Sequence, residues 1–200
     1  MGRTRLEAFS DGVLAIIITI MVLELRAPEG GDLAALRPLL PVLGAYVMSF
    51  VYVGIYWNNH HHMLATVSRV TGGILWANLH LLFWLSLLPF ATAWMGATRL
   101  APVPTALYGV VMLMAALAYS VLQGVIIRSH GADSLLAQAV GRDTKGRWSQ
   151  VLYLVAIAAA GRQPMVSLAL YLLVAVIWLV PDRRIERLYH AADAHRPHGG

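Results

Sequence analysis

Of the 200 residues, 58% are hydrophobic and only 12% are charged, against about 45–50% and about 25% in soluble domains. With a mean hydropathy of +0.65, this excludes a soluble cytosolic enzyme and points to an all-α integral membrane protein. The absence of Cys excludes a disulfide scaffold, a thiol nucleophile, an iron–sulfur cluster and cysteine-ligated zinc. The net charge of +5 reads as cytoplasmic loops and contacts with anionic lipid, not as a nucleic-acid surface.

The first helix is expected over residues 6–25. Only 12 uncharged residues separate Asp11 from Glu24, about 18 Å of helix, so it crosses only if a carboxylate enters the membrane. A signal peptide is the alternative, but Asp11 interrupts the apolar stretch and Leu23-Glu24-Leu25-Arg26 lacks a small-x-small cleavage site. The next three spans are expected at 38–58, 71–95 and 103–127. No Asp, Glu, Lys or Arg lies between Arg37 and Arg69, Arg69 and Arg99, or Arg99 and Arg128, and each gap exceeds the roughly 20 residues that cross a bilayer. Thr71-Gly72-Gly73, Pro102 and Pro104 mark the breaks. Two shorter spans, 145–161 and 164–181, flank the breaker Gly161-Arg162-Gln163-Pro164.

This makes residues 1–182 one six-helix transmembrane domain with no internal repeat. Residues 183–200 are expected to form a disordered basic tail, whose His190, His195 and His198 do not suggest a metal site. Six spans put both termini on one side, together with Arg3, Arg5, Arg69, Arg128, Arg142, Lys145 and Arg147. The other side holds only Arg26, Arg37, Arg99 and Arg162. The termini are therefore expected in the cytoplasm, with the chain in the inner or plasma membrane.

On a helical wheel centred on Ile16, residues Arg5, Phe9, Gly12, Thr19, Ile20 and Leu23 fall within roughly 50° of one line. Asp11 lies about 140° away and faces the rest of the subunit if the stripe faces a pore. An intramembrane carboxylate is either a functional group or an internal strut, and the wheel favours the strut. His60, His61 and His62 diverge by about 100° per residue, so they cannot share one metal ion on an unbroken helix; His80 could complete a two-His site at best. A structural or pH-sensing role for His60 and His61 is favoured. Trp57, Trp76, Trp94, Trp148 and Trp178 read as interfacial anchors or core. Glu24 either concentrates cations at an outer mouth or ends the helix in solvent.

The segment Arg5-x-x-x-Phe9-Ser10-Asp11-Gly12-Val13-x-Ala15-Ile16-x-x-Thr19-x-x-x-Leu23-Glu24 resembles the first-helix signature of the transmembrane protein 175 family of potassium channels, in its short prokaryotic form. Tyr56-Trp57-x-x-His60-His61, Trp76-x-Asn78-Leu79 and Leu87-Leu88-Pro89-Phe90-x-Thr92-Ala93 resemble the family's other motifs. The likeness runs from Arg5 to about Trp94. Eukaryotic members carry two six-helix repeats in one chain; this one has a single repeat.

The resemblance implies a homotetramer whose first helices line a central pore, with no pore loop and no cofactor. In the lipid bilayer it would pass K+ and other monovalent cations. It makes Ile16 a hydrophobic constriction, Thr19 a hydroxyl ring and Leu23 a second apolar ring. The sequence has no Thr-Val-Gly-Tyr-Gly filter, so selectivity for potassium is expected to be modest and to rest on dehydration at Ile16. Arg5, Ser10 and Asp11 resemble the family's polar cluster, with His60, His61, Asn78 and His80 as candidate partners on the second and third helices. Two competing readings stand beside the channel: a secondary transporter coupled through Asp11, and a membrane protein holding a metal or haem through His60, His61, His62 and His80.

Overall fold

The computed structural model describes residues 2–131, 133–140 and 143–179. The helices are α1 (Arg3–Leu23), α2 (Leu40–Ala65), α3 (Gly72–Ser86), α4 (Leu88–Ala97), α5 (Pro102–His130), α6 (Leu135–Val140), α7 (Thr144–Ala160) and α8 (Pro164–Leu179), with a 3₁₀ segment, Leu33–Leu39, leading into α2. Arg3–Leu23, Leu33–Ala65, Gly72–Ala97 and Pro102–His130 are long and apolar enough to cross a membrane, and Pro164–Leu179 is a shorter apolar helix. The tail 183–200, its histidines, Arg142 and the end of the sixth expected span lie outside the described residues.

Local chemistry sets the helix ends. Pro38 sits inside the 3₁₀ segment and Pro41 in the first turn of α2, where a missing N–H leaves no bond unmade. Thr71 caps α3 by accepting the Ile74 N–H, and Asp143 caps α7 by accepting the Gly146 N–H.

Three features differ from the sequence expectation. The second helix continues past 58 to Ala65, because nothing between Asn58 and Ala65 breaks it and the Asn59 amide folds back onto the Ile55 carbonyl at 2.8 Å. The third span divides at Leu87 into α3 and α4: Pro89 has no N–H to offer the carbonyl one turn back. The short α6 occupies a loop for which no helix is expected.

Side-chain bonds fix the relative directions. Arg3 Nη1 donates to the Ala65 carbonyl at 3.0 Å, and the Ser68 N–H donates to His130 Nε2 at 3.1 Å. The start of α1 therefore lies beside the ends of α2 and α5. Helix α5 packs against α3, α4, α7 and α8, whereas α1 touches α2, α3 and α4.

The core combines aliphatic packing with polar bonds between helices. Ser49 Oγ lies 2.7 Å from Thr92 Oγ1 and 3.1 Å from the Tyr108 hydroxyl, tying α2 to α4 and α5. The Tyr171 hydroxyl donates to the Thr105 carbonyl at 2.9 Å, and the Tyr52 hydroxyl donates to the Tyr171 carbonyl. In an apolar bundle such bonds hold helices in register where hydrophobicity alone discriminates little.

Gly96 allows the closest approach of α4 to α2: a Cβ there would fall 2.8 Å from the Val42 Cα, a backbone atom. Gly96→Ala is expected to cost about 1–3 kcal/mol through overpacking, read as a lower thermal midpoint in detergent. Gly124→Ala, which meets nothing within 4 Å, should leave the midpoint unchanged or raise it slightly.

Candidate functional site: the two faces of the first helix

Along α1 the buried residues are Leu6, Ser10, Leu14, Ile17 and Met21, spaced by four or three as one helical stripe requires. The opposite side carries Phe9, Gly12, Ile16, Thr19, Ile20 and Leu23, all exposed. Ile16 is 57% and Leu23 79% exposed, although α1 is among the apolar helices long enough to span a membrane. The Thr19 hydroxyl donates to the Ile16 carbonyl at 2.8 Å. Its proton is thus committed to the backbone, and what it offers outward is oxygen lone pairs.

The buried face is anchored by a directional chain of bonds. Ser10 Oγ donates to the Leu6 carbonyl at 2.9 Å, so it must accept from Asn78 Nδ2 at 3.0 Å. That orientation turns Asn78 Oδ1 toward His60 Nε2, 2.7 Å away; His60 therefore carries its proton on Nε2 and donates it. Ser10, Asn78 and His60 are all buried, and through them α1, α3 and α2 share one network.

Of the other residues considered for the polar cluster, none joins that chain. Asp11 is exposed on the flank of α1, where its Oδ1 accepts from Trp57 Nε1 at 3.0 Å; Ser10, not Asp11, takes the inward position. His61 is exposed and stacks on Trp57 with ring centroids 6.5 Å apart. His80 is also exposed and accepts from Trp84 Nε1 at 3.0 Å within its own helix. Arg5 has no side-chain partner among the described residues, whereas Arg3 bonds the Ala65 carbonyl and pairs with Glu7 at 3.4 Å. Trp57 and Arg3 were not legible as partners, because an indole N–H and a terminal arginine find acceptors only once two helices are rotated against each other.

Among the described residues no three His, Asp or Glu side chains converge as metal ligands. Glu24 is exposed and shares an open groove with Arg26, Val42 and Trp94. A carboxylate there has an opposite charge for company, which reduces its pull on passing cations.

The family profile described as endosomal/lysosomal potassium channel TMEM175 matches residues 5–89. A potassium channel of Chryseobacterium sp. (strain P1-3) is 56% identical over 187 residues, 94% of this chain and 97% of that protein. The endosomal/lysosomal proton channel TMEM175 of Danio rerio is 35% identical over 83 residues, covering 36% of this chain and 16% of that protein. Among solved structures, a lysosomal potassium-selective channel TMEM175 homolog from Chamaesiphon minutus superposes with a TM-score of 0.79 at 28% identity, covering 90% of this chain and 97% of that one.

Replacing Asn78 with Leu should cost about 2–3 kcal/mol, since it strands the buried His60 N–H. Hydrogen exchange should rise first along α1. Trp57→Phe, which removes only an exposed bond, should cost less than about 1 kcal/mol.

Proposed function

The chain belongs to the TMEM175 family, and on that premise we propose that it is a passive potassium channel whose central pore is lined by the first helix of each subunit. The observation that carries this reading is the exposed apolar face of α1. A membrane helix packed on one side through Leu6, Leu14, Ile17 and Met21, with Ile16 and Leu23 left uncovered, suits a helix that meets its own copies around an axis.

Four subunits would put four Ile16 side chains at the narrowest level, with Thr19 one turn along and Leu23 about 10 Å from Ile16. An apolar ring of this kind gates by dewetting, because an ion must shed hydration to pass. Thr19 suits the position next to it: with its proton bound to the Ile16 carbonyl, its oxygen is free to accept from water or to face a cation. Selectivity for potassium over sodium would then be a difference in dehydration, modest compared with a carbonyl filter.

In this reading the chain crosses the membrane six times, through α1, the 3₁₀ segment with α2, α3 with α4, α5, α7 and α8. The end bearing Arg3, Arg5, Arg69 and Arg128 faces the cytoplasm. Asp11, bonded to Trp57, is a strut between α1 and α2 and not a coupling carboxylate.

Potassium flux into liposomes holding the purified protein tests the proposal, with sodium and the Ile16→Asn variant run in parallel. Passive flux favouring potassium, with greater conductance and weaker discrimination in Ile16→Asn, is the expected outcome. Unchanged flux and selectivity in that variant would remove Ile16 from the gate. Asp11→Asn keeps an oxygen to accept the Trp57 Nε1–H and is expected to leave both assembly, read by native mass spectrometry, and passive flux unchanged; an intact oligomer in which it abolishes saturable, coupled flux would favour the transporter.

A further inference from the structure

Between α2, α5, α7 and α8 lies a cavity of about 40 Å³ to which α1 contributes no residue. It has room for about three water-sized groups. Its walls are aromatic. Tyr56 and Tyr119 meet edge to face, with ring centroids 6.2 Å apart and planes at 65°. Tyr52 and Tyr153 are tilted by 46° at 6.5 Å, and Trp178 is fixed by its Nε1 bond to Ser149 Oγ at 2.8 Å.

Asp143 is the one charged residue lining this space among the described residues. Its Oδ1 accepts the Gly146 N–H at 2.9 Å, so the carboxylate is held in place by the helix it caps. Tyr56 is only 9% exposed, yet its hydroxyl has no hydrogen-bond partner among the described residues. Asn59 has turned its amide N–H back to Ile55, which leaves its oxygen as a second acceptor at the cavity. Inclined aromatic rings, one carboxylate and oxygen acceptors lacking donors together call for a guest that is cationic, carries N–H groups and has a little apolar surface. A neutral solute would leave the carboxylate uncompensated. A bare alkali ion would also be drawn to the ring faces, but it has no N–H groups to give the carboxylate and the hydroxyl and no methyl groups to lay against the walls.

We propose that this cavity binds a small alkylammonium ion of the methylammonium or dimethylammonium class, with its N–H groups on Asp143 and Tyr56 and its methyl groups against the aromatic walls. Equilibrium dialysis of the purified full chain against radiolabelled methylammonium, in buffer containing potassium, tests it. One saturable site per chain is expected, weakened at least tenfold in Asp143→Asn, where Asn retains the capping acceptor, and in Tyr56→Leu. Methanol, similar in size but uncharged, should not compete. Thermal unfolding of each variant verifies that it is folded, and Asp143→Asn should leave potassium flux unchanged because no residue of the cavity lies on α1. Binding at one ion per oligomer, or binding that survives Asp143→Asn at full strength, would assign the ion to the pore and overturn the proposal; so would the absence of saturable binding to folded protein.

Discussion

A polar side chain sunk into an apolar helix bundle is costly to leave without a partner, since no water is at hand to replace one. This constraint is met most deeply where His60, Asn78 and Ser10 pass hydrogen bonds from α2 through α3 to α1. Each bond leaves only one arrangement for the next, because the Ser10 proton is already committed to the Leu6 carbonyl. A helix with a continuous apolar surface could otherwise rotate about its axis at little cost. Ser10, the one polar residue on the buried stripe of α1, sets that rotation, and with it which residues remain uncovered on the other side.

The rest of the chain is organised around a different set of polar bonds. Tyr52, Tyr108, Tyr171, Ser49 and Thr105 link α2, α5 and α8 through hydroxyls that reach across to backbone carbonyls or to one another. The result is a bundle in which α7 and α8 pack on α5 and α2, away from α1. A cavity in that part of the molecule is therefore physically separate from the face of α1 read as the pore wall. The two sites can be disturbed independently.

Much of this was readable from residue order, and the misses have definite causes. The period of Phe9, Gly12, Ile16, Thr19 and Leu23 marked one face of the first helix, and that face is the exposed one. The 100° step between His60, His61 and His62 meant they would diverge, and only His60 is buried. Which of the three would turn inward depended on the rotation of α2 against α3, which no local pattern records. Asp11 illustrates the same limit: the wheel set it opposite the stripe, but a residue that far round can lie on the flank, and there Trp57 supplies a donor that spacing could not single out. The break at Leu87 was latent in Pro89, whose effect on a helix is local.

The sequence by itself determined that the chain is apolar and helical, where most of its helices begin and end, and which family it belongs to. Those properties follow from composition, capping chemistry and short motifs, each set by neighbours within a few positions. Only the tertiary structure decided that Ser10 and not Asp11 faces inward, that His60 donates to Asn78 while His61 and His80 stay outside, and that residues from four separate helices enclose an aromatic cavity beside Asp143. These outcomes depend on the relative rotation of whole helices, and that rotation is fixed by a few buried hydrogen bonds between residues as much as 119 positions apart.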